Sequence, residues 1–397
     1  MRKYLEKITE IAIRTSGYIG SLAILLIVIY LFRESVGIFN QKEIEKGYIL
    51  AVHPENPVNK LSSFEIKEIF DRKITDWNEV GGNTAQIELF EINSIEDYFS
   101  DAELGENYSN LSNCLNKLIL EHPQMIAFLP INYIKEDFKG KMIEDQNIQF
   151  SDLFKGVEWY PTAVPAPQFG LLPLFLGTLW VSVGAILLAF PLGLMVAIYL
   201  SEFSSTKFRS IFKPAVELLA GIPSVVYGFF GLVVLVPFVR STFNLPVGET
   251  ALTGSLLLAI MVLPTIISIA EDSLQSVPKS MREASLALGA NEVQTIFKVL
   301  IPYAKSGIVT AGVLGIGRAI GETMAVLMVT GNASVIPNTF LQPVRTIPAT
   351  IAAELGETAI GSAHFQVLFL LGASLFLITF LFNILVDWVS SKGNFKK

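Results

Sequence analysis

The chain has 397 residues, of which 51% are hydrophobic and 16% charged, and its mean hydropathy of +0.52 excludes an ordinary soluble globular protein and indicates a membrane protein. The formal net charge is −7. Cys114 is the single cysteine and His53, His122 and His364 show no ligand spacing, so neither an internal disulfide nor a metal centre is expected.

The first apolar run is Ser16 to Phe32. A basic segment precedes it, but Arg33 and Glu34 follow where a small-residue cleavage site would stand, so an uncleaved anchor is expected. Further runs near the ~20 residues a spanning helix needs lie at Leu171 to Leu200, Leu218 to Val239, Ala251 to Ala270, Gly307 to Thr330 and Phe365 to Trp388. Six spans put both termini on one side. The segments on that side carry Arg2, Lys3, Lys7, Arg14, Lys207, Arg209, Lys213, Lys279, Arg282, Lys298, Lys305, Lys392, Lys396 and Lys397, against Arg240 and Arg345 in the two short opposite loops. The basic side is the cytoplasmic one.

Between the first two spans, Glu34 to Phe169 holds 11 Lys and Arg against 23 Asp and Glu, so the acidity of the chain belongs to this insert. Long loops escape the charge rule, and an extracytoplasmic location fits. β-like runs at Gly47 to Val52 and Gln86 to Phe90 alternate with helical patterns at Ser63 to Phe70 and Leu111 to Leu120, which predicts an α/β domain. Gly156 to Phe169, with Pro161, Pro165 and Pro167, reads as an extended return linker.

After the fourth span, Pro278 opens a helix-turn-helix pattern in which Gly289 permits the bend and Pro302 marks entry into the fifth span. The fifth span holds Arg318 and Glu322, about 20 Å along the helix from Lys305 and four residues apart, so the two are expected to share a face and pair. A charge at that depth costs about 3 kcal/mol on insertion scales. One reading is passage of an oxyanion, held by the guanidinium fork, with Glu322 restraining Arg318 or accepting a proton. The other is a structural pair that locks the bundle. Gly221 and Pro223 interrupt the third span, which either exposes backbone, Ser224 and Tyr227 to a cavity or serves packing alone.

Three resemblances follow from these residues. Glu283, Ala284, Ser285, Gly289, Val299, Ile301 and Pro302 fall on the spacing of the EAA loop of ABC importer permeases, which seats in a cleft of an ATPase subunit. GIGRAIGETMAVLMVTGN (Gly315 to Asn332), AGIPSVVYGFFGLVVLVP (Ala220 to Pro237) and VLPTIISIAEDSLQSVP (Val262 to Pro278) resemble the PstC-type permeases of phosphate ABC transporters, from Gly156 to the C-terminus. That resemblance implies a role in phosphate passage for Arg318 and Glu322. Glu55 to Gly82 and MIAFLPINYI (Met125 to Ile134) are similar to one lobe of periplasmic phosphate-binding proteins. Where that family places a Ser-Gly-Thr turn, this chain reads EINSIEDYF (Glu91 to Phe99), whose carboxylates repel an anion.

The expectation is therefore an all-α polytopic membrane protein of six transmembrane helices, with the type I ABC importer permease fold and an inserted extracytoplasmic α/β domain. Its parts are a tail and first helix (1–34), the insert (35–155), a linker (156–170) and a permease core (171–397) with the coupling loop at 278–302. The implied partners are a homologous second permease, two ATP-binding subunits, an extracytoplasmic phosphate-binding protein and membrane lipid, with no nucleic acid and no cofactor. No GxxxxGK[ST] phosphate loop occurs, so ATP is expected on another chain and this subunit is not itself an enzyme. The alternatives are a permease for molybdate or sulfate, or a membrane sensor. A sensor would need a cytoplasmic effector domain, and only nine residues follow Trp388.

Overall fold

A computed structural model describes residues 2–393. Lys396 and Lys397, counted above for orientation, lie outside the described residues. Two compact units emerge, one of Met1–Phe32, Leu172–Thr358 and Leu368–Lys397, the other of Arg33–Leu171 and Ala359–Val367.

The chain begins with α1 (Arg2–Val36) and then enters the insert, which comprises β1 (Tyr48–Val52), α2 (Ser63–Phe70), β2 (Glu88–Glu91), α3 (Asp101–Leu104), α4 (Leu111–Glu121), β3 (Met125–Pro130), β4 (Lys141–Met142), α5 (Phe150–Lys155), β5 (Trp159–Tyr160) and β6 (Gln168–Phe169). The main sheet has the order β2-β3-β1-β4, with β3 parallel to β2 and antiparallel to β1. Strand alternation divides its side chains between two helical layers. Ala51, Phe90, Ala127 and Leu129 pack on Leu115, Leu118 and Ile119 of α4, while Leu50, Val52, Ile126 and Phe128 pack on Ile66 and Ile69 of α2 and on Trp77. Ser62 and Glu65 form a capping box that starts α2 where the sequence predicts it.

The expected linker is folded. Trp159 and Phe169 pair in an antiparallel β5–β6 ribbon, both rings buried, because the three prolines fall in the loop between the strands and leave the pairing N–H groups free. A Cβ on Gly156 would lie 2.7 Å from the Gly170 backbone, so this crossing admits no larger residue at either position. The insert also recruits a remote segment: the Gln41 amide donates to Gln366 Oε1 at 3.1 Å.

The second unit continues with α6 (Leu172–Ile198), α7 (Thr206–Ala220), α8 (Ser224–Phe230), α9 (Val236–Phe243), α10 (Ala251–Gln275), α11 (Lys279–Ala287), α12 (Glu292–Thr295), α13 (Ile301–Tyr303), α14 (Lys305–Gly321), α15 (Met324–Val329), α16 (Ile347–Glu354) and α17 (Ala363–Gly393). Among the described residues, five helices are long and apolar enough to cross a membrane, or six if the pair Glu292–Tyr303 and Lys305–Gly321, bent by 73°, is one span. α10 is the central one. Glycines let α6 and α14 approach it closely: a Cβ would meet Ser255 at Gly184, Ile266 at Gly193, and both Val262 and Ile266 at Gly315. α1 and α17 carry apolar residues outward, as lipid contact requires, and meet each other through Tyr30 and Phe369, edge to face at 5.6 Å.

Two expected spans differ from their sequence reading. The third starts at Ser224 rather than Leu218, since Pro223 lacks an N–H and biases Ile222 away from the helical region; Leu218 to Ala220 close the amphipathic α7 instead. The fifth, expected over Gly307 to Thr330, breaks after Gly321, where Glu322 adopts an extended φ of −71° and ψ of 130°. Gly312, Gly315, Gly317 and Gly321 each lower helix propensity by about 1 kcal/mol relative to Ala, and the break falls at the last of them.

Candidate transport and coupling site

Arg318 sits in the last turn of α14, half-buried, and its Nη1 donates to Thr265 Oγ1 on α10 at 3.0 Å. The expected pairing with Glu322 is absent. Four-residue spacing brings side chains together only while the helix continues, and it ends between them. Among the described residues neither group has an ion-pair partner, and Thr265 is the only hydrogen-bond partner of the guanidinium. A Cβ at Gly317 or Gly321 would meet nothing within 4 Å, so open space flanks the two charges.

Two interrupted helices face each other nearby. α8 follows the break at 221–223, α15 follows the break after Gly321, and they pack so closely that a Cβ on Gly228 would lie 3.1 Å from the Cα of Ala325. Tyr227 is buried among Ala325, Val326 and Val329, within electrostatic reach of Arg318. Its hydroxyl donates to the Leu219 carbonyl at 2.9 Å, satisfying one of the last acceptors of α7 across the break. Tyr227 is thus a clasp for the interruption, a task the sequence does not reveal. Ser224 is half-buried at the start of α8.

The loop at 278–302 folds as the sequence predicts. Pro278 precedes α11, and Gly289 turns the chain at a φ of +87°. Asn291 and Gln294 form a capping box for α12, and Ser285 Oγ meets Thr295 Oγ1 at 2.9 Å to hold the two helices together. Glu283 and Ala284 are exposed, and Leu288 is 89% exposed at the tip. Ile296, Leu300 and Ala304 are buried with Ala197, Leu274 and Val277, which anchors the base of the loop. Pro302 lies in α13, ahead of the 73° bend that separates the loop from α14.

Sequence reasoning missed the ion pairs at this end of the helices, where it counted cations only for orientation. Arg282 of α11 reaches Glu202, just past α6, at 2.7 Å. Glu271 of α10 is fully buried and held by Arg209 Nε at 2.7 Å and Lys213 Nζ at 2.8 Å, both from α7. Burial pulls the Lys213 pKa down, but hydrogen bonds to Asp272 and Glu271 outweigh it and hold the ammonium above its usual range. The only sequence signal was a Glu-Asp pair closing an otherwise apolar helix.

In the insert, the Glu91 to Phe99 segment forms a short 3₁₀ turn, and the Ser94 hydroxyl donates back to the Glu91 carbonyl at 2.8 Å. Glu88 accepts from Tyr98, and Glu96 from Tyr108. That surface is acidic and its serine is occupied.

Residues 189–392 match the family described as binding-protein-dependent transport system inner membrane component, half of the chain, and the protein belongs to that family. It is a multi-pass membrane protein, a permease. Residues 37–141 match the PBP superfamily domain. Among relatives, the chain is 42% identical over 241 residues to the probable ABC transporter permease protein YqgH of Bacillus subtilis, covering 61% of this chain and 78% of the relative. It is 40% identical over 242 residues to the phosphate transport system permease protein PstC of Mesorhizobium japonicum, covering 56% and 73%. Solved structures that are similar include the inward-facing MetNI methionine ABC transporter, at 21% identity and a TM-score of 0.44 over 56% of this chain and 98% of that one. A putative phosphate ABC transporter substrate-binding protein with bound phosphate from Clostridium perfringens is 24% identical, with a TM-score of 0.19, over 30% and 50%.

Proposed function

We propose that this chain is the membrane-spanning permease subunit of an ABC importer that carries inorganic phosphate into the cytoplasm, driven by ATP hydrolysis on separate subunits. The observation that carries the reading is Arg318: a half-buried guanidinium with no carboxylate partner among the described residues, held by Thr265 and flanked by open space beside a helix break. A charge kept at that cost and left uncompensated is matched by an anion that arrives during transport. The guanidinium fork donates two parallel hydrogen bonds to a tetrahedral oxyanion. Glu322, separate from it, serves as a proton acceptor for a protonated oxyanion, and Ser224 lines the pathway with Tyr227 behind it.

Glu283, Ala284, Ser285 and Gly289 form the part that the ATPase grips, with Leu288 as an apolar tip suited to a cleft, and Pro302 leads into the fifth span. The full complex pairs this chain with a homologous permease, two ATP-binding subunits and an extracytoplasmic phosphate-binding protein in the inner membrane. Both termini face the cytoplasm, and the insert stands outside as a docking or structural module. In proteoliposomes, Arg318→Gln should reduce phosphate uptake by roughly 10-fold or more, the loss of a charged hydrogen-bonding group, with assembly of the complex intact. Normal uptake would sink the role of Arg318. Molybdate and sulfate as competitors decide the anion: phosphate transport requires that neither suppress uptake at equimolar concentration.

A further inference from the structure

The insert holds a cavity of about 380 Å³ between the start of α2, α5 and the β5–β6 ribbon. Glu43 lines it and is only 4% exposed, and among the described residues its Oε2 has no hydrogen-bond partner. A buried carboxylate with an unmet oxygen is costly unless something else in its working state meets that atom. The charged groups around it do not help. Asp152, Asp145 and Glu65 all oppose its ionisation, and only the Ser63 amide favours it. Glu158 also lines the cavity but is paired with Lys67 at 3.1 Å, and Lys155 is exposed at the edge.

We propose that this cavity binds a small organic ammonium ion, its charged head on Glu43 and Asp152 and its apolar body against Phe64, Val157 and Phe169. The acidic floor repels anions. A neutral ligand would leave an ionised Glu43 unmatched, and no group of three or more His, Cys, Asp or Glu side chains able to hold a metal ion occurs among the described residues. An ammonium supplies several N–H donors and one positive charge, and its alkyl portion removes the apolar lining from water. The proposal is independent of phosphate transport, since no residue of the transport pathway takes part.

The test is calorimetric titration of the full-length protein in lipid nanodiscs with butylammonium, 1-butanol and butyrate, at pH 8 and pH 5.5. Butylammonium should bind at pH 8, at least about tenfold more tightly than at pH 5.5, because only ionised Glu43 is competent. Glu43→Gln should weaken it by a similar factor. Butylammonium that fails to bind, binds equally well to Glu43→Gln, or binds no better than 1-butanol or butyrate overturns the proposal. The comparison among the three ligands on the unaltered protein needs no variant, so it remains decisive if Glu43→Gln does not fold.

Discussion

Arg318 and Glu322 carry charges that no ion-pair partner matches among the described residues. They are four residues apart, yet the extended backbone at Glu322 leaves them unpaired. Breaking a buried lock by removing one partner costs about 3–5 kcal/mol. Glu322→Gln should instead change thermal stability by less than about 1 kcal/mol while lowering phosphate uptake, measured by melting and transport on the same preparation. A large drop in stability would restore the structural pair. Glu43 makes a separate prediction through pH. Burial, then the charge of Asp152, push its carboxyl up to about 7 from an ordinary 4.5. The folded state therefore holds a proton that the unfolded chain releases, so Glu43 weakens the fold progressively as pH rises from about 4.5 through 7. Glu43→Gln should match the parent near pH 4.5 and exceed it at pH 8 by about 1–3 kcal/mol, in denaturation followed by the fluorescence of the buried Trp77 and Trp159.

Among the elements, the coupling loop is held at two places. Its base is buried with α10, and Arg282 ties α11 to the end of α6 through Glu202. With a 73° bend between the loop and α14, this ion pair gives α11 a direct hold on α6. Glu202→Gln should leave ATP hydrolysis by the assembled complex running while phosphate imported per ATP falls several-fold. Unchanged stoichiometry would return the whole coupling path to Pro302. The opposed breaks before α8 and after α15's predecessor α14 are a second device at this scale, since interrupted helices free backbone groups only where other helices cover them. Gly228, whose Cβ would crowd Met328 and Ala325, permits that cover.

At the scale of the molecule, the helical unit holds Arg318 half-buried, and the α/β unit is acidic along Glu91 to Phe99. Replacing Glu91 and Glu96 with Gln and Ser94 with Ala should leave phosphate uptake unchanged; loss of uptake would move the anion to the insert. Much of this was legible in the sequence. Apolar runs locate helices because hydropathy and length are local properties, and α2, the Gly289 turn and the break at Pro223 follow from caps, φ preferences and a missing N–H. The Glu202–Arg282 pair, the Glu271 cluster and the folding of 156–170 onto the insert were not legible, because each joins residues remote in the chain or depends on what a side chain finds beside it. The sequence by itself determined that the chain is membrane-embedded, where its apolar runs and the acidic segment between the first two of them lie, and that Arg318 and Glu322 stand in an otherwise apolar stretch. Only the tertiary structure decided that they do not pair, that Thr265 of another helix holds the arginine, and that Glu43 is left with an unmet oxygen, since burial and partnership are set by packing between distant segments rather than by neighbours in the chain.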